Sequence, residues 1–354
     1  MQPVAVRILH PSAPSGAGPL TRWLAEARSR NTERLAIQFD AAGATDVEVV
    51  AGPPDDRAFG ARLRNVLVGL TPGDGLVALG SGAIPLASRR DVGAFVTVAG
   101  SGERRALANN YYSADIVAIG QAASLPRVPD LAGDNALPRW LDEVAGFEVD
   151  DLRRRWRLSM DFDSPLDVVL VDPTSRPAGI GVQTLDARLA AVRAAATNRR
   201  AELVVAGRTS GRTLQWLERS TAARTRSIIE ERGLRASSPD AIGQGGGPAR
   251  RPRSLLGLLL DDRGPEAFGS ILAELGDAAI VDTRVLLAHR LGADEAAWPA
   301  PEDRYASDLL LPNGVADRWL QALTASAVAA SIPILLGGHS LVGPGLRLVL
   351  GPGR

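Results

Sequence analysis

The chain has 354 residues, room for two ordinary domains, and its 45% hydrophobic against 23% charged residues give it a core to bury. Forty basic side chains balance forty acidic ones, so there is no net basic field for nucleic acid, and all forty basic residues are Arg. Without Lys there is no Schiff-base or P-loop lysine, and without Cys there is no disulfide, thiolate nucleophile or Cys-held zinc.

Val4–Leu9 reads as a first strand, and Met1–Leu9, with Arg7 inside it, is not expected to be a signal peptide. A Pro/Gly/Ser loop over Pro11–Pro19 leads to a helix from Leu20 to about Ala42, stopped by Gly43. Asp46–Val50 is expected as strand, and Asp56–Leu70 as a helix capped by Asp55 and Asp56. Gly75–Leu79 is a third strand and Ser88–Ala99 a helix. Between Arg105 and Ile119 one further strand is expected, centred on Ile116–Ile119. Ala136–Ala145 follows as a helix capped by Asp134 or Asn135, then the Arg-rich stretch Leu152–Met160. Pro165–Val171 starts another helix, since Ser164-Pro165 suits the cap and first positions.

Pro173–Gly181 is the linker, dividing a domain at 1–172 from a second α/β domain at 182–354. In the second half, helices are expected over Leu185–Thr197 and Leu214–Arg232. Strands are expected over Glu202–Ala206, Ser254–Leu260, Ala278–Val281 and Ile332–Leu336. Ser237–Arg253, rich in Gly, Pro, Ser and Arg, reads as a mobile surface loop. No apolar run approaches the roughly 18–20 residues of a spanning helix, so a cytoplasmic protein without membrane contact is expected.

Chemistry concentrates in Asp161-Phe162-Asp163-Ser164-Pro165-Leu166-Asp167. Asp161 and Asp163, two positions apart, can converge on Mg²⁺ or Mn²⁺, or simply sit as solvated acids before a capped helix. The loop Ser12–Gly18, with Ser12, Ser15, Gly16 and Gly18, lies where backbone N–H groups can cradle phosphate, and Arg22 stands just beyond it. Asn109 and Asn110 can read a base or sugar, and are equally ordinary turn formers. Arg153, Arg154, Arg155 and Arg157 form a charge run near Asp161.

The Asp161–Asp167 segment resembles the D-[IV]-D-[TS]-P-x-D motif of the phospholactate/phosphoenolpyruvate guanylyltransferases and the wider GT-A nucleotidyltransferases. Asp74–Pro85 is similar in shape to their central strand. The likeness covers residues 1–172. It implies a mixed, mostly parallel sheet with flanking helices, and a metal-dependent transfer from a nucleoside triphosphate to a small phosphorylated or hydroxylated acceptor. Asp161 and Asp163 would hold the metal. Ser81 stands where the family carries its first metal-binding Asp, and the loop after strand one lacks the usual basic residues. Two other readings share this layout: a nucleotide-binding or assembly protein without catalysis, and a GT-A glycosyltransferase using a nucleotide-sugar. Homo-oligomerisation is left open.

The second half places Asp261 and Asp262, Asp282 and Arg284, and Gly337-Gly338-His339-Ser340 after apolar runs. Ligands of open parallel sheets gather at strand carboxyl ends, so these groups are candidates for a second site. A Ser/His/Asp triad stays open, though no G-x-S-x-G elbow occurs.

Overall fold

A computed structural model describes residues 1–54, 57–125, 127–131, 133–177, 179–230 and 252–351. The chain divides into two compact units: Met1–Ala17 with Ala25–Phe162, and Gly18–Leu24 with everything from Asp163 onward. The division falls inside the Asp161–Asp167 segment.

In chain order the first unit comprises β1 (Val4–Pro11), α1 (Pro19–Ala41), β2 (Asp46–Gly52), α2 (Phe59–Leu67), β3 (Gly75–Gly80), α3 (Arg89–Ala99), β4 (Arg105–Ala108), β5 (Ile116–Ile119), α4 (Leu137–Glu143) and β6 (Glu148–Asp151). The first residues of α1, up to Leu24, belong to the second unit. The sheet runs β2-β1-β3-β5-β4-β6 and is parallel except for β5, which pairs antiparallel with both neighbours. The expectation of a mixed, mostly parallel sheet holds. Alternation along each strand feeds two cores. Val4, Val6, Ile8, Val77 and Leu79 pack with Leu35 and Phe39 of α1 and Phe95 of α3. Ala5, Leu76, Ala78, Val117 and Ile119 pack with Leu63 of α2 and Leu137 of α4. Helices therefore cover both faces, as a buried parallel sheet requires.

The second unit comprises α5 (Pro165–Val171), α6 (Gln183–Thr197), β7 (Glu202–Gly207), α7 (Gly211–Ser220), β8 (Arg224–Ile229), α8 (Leu255–Arg263), α9 (Phe268–Leu275), β9 (Ala278–Asp282), α10 (Thr283–Leu291), α11 (Pro301–Asp308), α12 (Arg318–Ala329), β10 (Ile334–Gly337), α13 (His339–Val342) and α14 (Gly345–Leu350). Its sheet runs β10-β9-β7-β8 and every pairing is parallel. Strands β9 and β10 are buried throughout, whereas β8 at the edge has only exposed and half-buried residues.

Several segments differ from the sequence expectation. The stretch Arg105–Ile119 holds two strands instead of one. The Asn109 side chain turns the corner between them, its Oδ1 accepting from the Asp115 N–H at 2.9 Å. The expected helix Leu214–Arg232 stops at Ser220 and gives way to β8, whose Arg/Thr/Arg/Ser alternation and paired isoleucines suit an exposed edge. The run Ser254–Leu260 is a helix. Leucine favours helix over strand, and the Ser254 hydroxyl caps it by accepting from the Gly257 N–H at 3.1 Å. Strand β6 had no sequence expectation. Helix α4 begins after a 3₁₀ turn at Asp134–Ala136 and has no side-chain cap. The Asp55–Asp56 cap lies outside the described residues, as does all of Ser237–Arg253 except its last two; α2 starts at Phe59. Among the described residues no helix is long and apolar enough to cross a membrane.

Candidate functional site

In the first unit β1 lies between β2 and β3, and the helices that follow β1 and β3, α1 and α3, pack on the same face of the sheet. Strand β1 ends at His10-Pro11; beyond it the Ser12 N–H and hydroxyl both donate to the Gly52 carbonyl, at 2.8 and 2.9 Å. Strand β3 ends at Gly80, and the Ser81 N–H donates to the Leu9 carbonyl at 3.0 Å. Helix α1 grips the loop that follows. Asn31 Nδ2 donates to the Ser81 and Ala83 carbonyls at 2.8 and 2.9 Å, and Arg34 Nη2 donates to the Ile84 carbonyl at 3.0 Å. This grip holds Ile84 at φ 44°, a backbone conformation a β-branched residue avoids by itself.

Arg28, one turn earlier, donates from Nε to the Phe162 carbonyl at 2.8 Å, while the Phe162 N–H donates to Gly82 and Asp161 bridges to Ala83. His10 Nδ1 is buried with no hydrogen-bond partner among the described residues. Burial, and then the positive Arg28 guanidinium, hold His10 below the ordinary imidazole value and so favour the neutral ring.

The structure distributes the sequence candidates unevenly. Ser12, Ser15 and Gly16 are exposed on the loop after β1, where Gly16 has φ 82° and the Ala17 N–H closes a turn onto Pro14. In the second unit the Leu20 and Thr21 N–H groups, with the Thr21 hydroxyl, donate to the Glu302 carboxylate at 2.9, 3.0 and 2.8 Å. A side chain at Gly18 would collide with that carboxylate. An internal anion thus already occupies the start of α1, and a phosphate there has to displace it. Arg22 is exposed. Ser81 is buried, with its backbone N–H and carbonyl both engaged. Asn109 is fully buried, its amide divided among Asp115 and the Leu158 carbonyl. Asn110, half-buried, accepts from the Tyr112 N–H.

In the second unit Asp163 Oδ2 lies 3.7 Å from His339 Nδ1, with both side chains partly exposed. His339 stands two residues beyond β10, as the first residue of α13. The Asp163 backbone is pinned by Asp167, whose Oδ2 accepts from the Asp163 N–H, the Ser164 N–H and the Ser164 hydroxyl at 3.1, 2.7 and 3.0 Å. Burial, and then the neighbouring Asp163 charge, push the Asp167 carboxyl up to about 8 against those donors.

The other strand ends of this unit pair with one another. Arg208, after β7, clamps Asp282 at the end of β9 with Nε and Nη2 donating at 2.7 and 3.1 Å. Arg284 donates to both oxygens of the fully buried Asp308 at 2.7 and 2.6 Å. Burial disfavours the Arg284 charge, but Asp308, Asp282 and Asp167 outweigh it and keep the guanidinium protonated. Asp308 had no signal in the sequence, because it comes from a helix and not from a strand end. Asp261 and Asp262 lie on α8, away from any strand end. Asp261 meets His289 Nε2 at 2.9 Å, and His289 Nδ1 accepts from the Ser254 backbone N–H at 3.0 Å. The Ser254 hydroxyl donates instead to Glu230, so these three residues do not form a nucleophile–base relay.

No protein-family model matches the chain, and no curated protein matches it.

Proposed function

We propose that the chain is a divalent-metal-dependent transferase of the nucleotidyltransferase type, acting on a nucleoside triphosphate and a small phosphorylated or hydroxylated acceptor. Asp163 and His339 are its metal ligands. The observation that carries this reading is the approach of Asp163 Oδ2 to His339 Nδ1 at 3.7 Å, from segments far apart in sequence. Carboxylate oxygens suit Mg²⁺ and Mn²⁺ alike, and the imidazole tilts the choice toward Mn²⁺. A bound ion supplies charge neutralisation to the triphosphate. Asp167 holds the Asp163–Ser164 backbone, so the ligand segment is fixed before any ion arrives.

A second reading, nucleotide binding without transfer, draws on Ser81, which is buried where the resemblance places an aspartate. A nucleotide-sugar donor is the third, and the same experiment separates them. Thermal unfolding is followed with nucleoside triphosphates and nucleotide-sugars, each with Mn²⁺, Mg²⁺ or EDTA. A ligand at a hundred times its dissociation constant stabilises by about 2.7 kcal/mol. The expected result is a Mn²⁺-dependent rise with a triphosphate that Asp163→Asn and His339→Ala each abolish. A nucleotide shift indifferent to metal favours the non-catalytic reading, and a preference for nucleotide-sugars favours the glycosyltransferase. No metal response in the unsubstituted protein sinks the metal site.

A further inference from the structure

Strand β8 leaves one side of the second sheet unpaired. Among the described strands its one neighbour is β7, which it follows along its whole length. The Arg224 N–H donates to the Ala201 carbonyl at 3.0 Å, and the Glu230 N–H to the Gly207 carbonyl at 3.1 Å. In a parallel ladder the N–H and C=O of one residue face the same neighbour, so the even-numbered residues of β8 bond to β7. Thr225, Ser227 and Ile229 therefore turn their N–H and C=O groups outward, and Ser227 and Ile229 are exposed. Such an edge is a template for another strand.

The side chains select which strand fits. Arg226 is bound back to its own sheet, with Nη2 donating to Glu202 at 2.8 Å and Nε to the Leu275 carbonyl at 3.1 Å. Arg224, with its side chain 76% exposed, approaches the same carboxylate only at 3.9 Å and has charge to offer a further acid. Glu230, just past the other end of the strand, follows in the same two-residue alternation. Ile229 beside it is exposed, as are Leu255 and Leu258 of α8, whose first N–H donates to Glu230.

We propose that β8 pairs antiparallel with β8 of a second copy of the chain, about a two-fold axis at Ser227, joining two four-stranded sheets into one. In this register Ser227 faces its own counterpart, Thr225 faces Ile229, Arg226 faces Ile228, and Arg224 faces Glu230 of the second copy. The Ser227 pair is hydrogen-bonded, so the outward N–H and C=O groups of Thr225, Ser227 and Ile229 all find partners. The facing side chains are complementary: an ion pair, an arginine stem against isoleucine, and two β-branched residues. An axis at Thr225 or Arg226 sets arginine against arginine, and one at Ile228 or Ile229 carries Arg224 and Thr225 past the end of the facing strand. The two-fold contact closes at a dimer and uses up the edge. His339 follows β10, at the other edge of this sheet, so the pairing does not depend on the metal reading.

The test uses the full chain, by sedimentation equilibrium and by disulfide trapping. The unsubstituted protein is expected to sediment at twice its chain mass of 37.1 kDa. Arg224→Glu sets like charges opposite each other twice across the axis, and is expected to weaken the dimer about tenfold. The chain has no Cys, so Ser227→Cys introduces a single reporter thiol. Facing residues of a hydrogen-bonded antiparallel pair have Cα atoms about 5.5 Å apart, within disulfide reach. With oxidised glutathione, Ser227→Cys is expected to give a covalent dimer. Thr225→Cys is expected to stay unlinked, because four residues of strand, about 13 Å, separate it from its counterpart. A monomer at every concentration, or a dimer that Ser227→Cys does not lock, overturns the pairing. Locking at Thr225 as readily as at Ser227 overturns the register, and a locked dimer indifferent to Arg224→Glu overturns the ion pair at its ends.

Discussion

The two sheets share a topological feature and treat it in opposite ways. In the first unit the strand order reverses between β1 and β3, and in the second between β7 and β9. At the second, Arg208 and Asp282 face each other across the reversal and neutralise one another, with Arg284 and Asp308 alongside. At the first, His10 Nδ1 has no hydrogen-bond partner among the described residues and Gly80 has no atom of them where a Cβ would stand. Strand ends offer polar groups to a ligand only where those groups are not already spent on each other. In the second unit Asp163 and His339, both partly exposed, approach each other at 3.7 Å.

The contrast breaks first at the buried pair. Asp308→Ala removes the carboxylate that accepts both hydrogen bonds of the buried Arg284, and is expected to cost about 3–5 kcal/mol in urea unfolding. Replacing both partners, Arg284→Met with Asp308→Leu, is expected to restore most of that stability. A single-variant loss below about 1 kcal/mol would show the pair to be exchanged with water and these strand ends to be open after all. A smaller effect tests the close approach behind the Arg208–Asp282 clamp. Gly207 has φ 128°, and a Cβ there would sit 2.3 Å from that of Asp282, so Gly207→Ala is expected to cost about 1–3 kcal/mol. An unchanged unfolding midpoint would mean that the strand ends separate readily.

The smallest effect belongs to the first unit, where Asp91 is an acid that is already used. Its carboxylate accepts from the Ser88 N–H and hydroxyl at 3.0 and 2.6 Å, and from Arg155 at 2.6 Å. Burial opposes its charge, yet the Ser88 donors and Arg155 prevail and hold the carboxyl below its ordinary value. A depressed carboxyl stabilises the fold above the unfolded value near 3.9, and that contribution is lost as pH falls through the folded value. Asp91→Asn is expected to cost about 1 kcal/mol near neutral pH, with the difference shrinking below about pH 4. A difference independent of pH would show that neither the Ser88 donors nor Arg155 favours the charged carboxylate.

Strand and helix were legible wherever the pattern was long. Val4–Leu9, Gly75–Leu79 and Leu20–Ala42 follow directly from apolar periodicity and a stopping glycine. The exceptions are short. Ser254–Leu260 is a continuous apolar run that fits either element, and Arg224–Ile229 was absorbed into a neighbouring helix pattern because an edge strand carries little apolar signal. The Asp161–Asp163 pair, the strand-end position of His339 and the absence of Lys were all visible in the sequence. The pairing of Asp163 with His339, of Arg284 with Asp308 and of Glu302 with the start of α1 was not.

What the sequence determined by itself is what local chemistry can encode: alternating α/β elements, helix starts at Ser88 and Ser164, and the residue types able to meet metal or phosphate. Tertiary structure alone decided which of those groups remain for a ligand. Glu302 lies some 280 residues from the N–H groups it accepts, and only chain folding makes such an anion compete with phosphate for them. His339 acquires meaning in the same way, since it follows β10 in sequence and only folding brings it within 3.7 Å of Asp163.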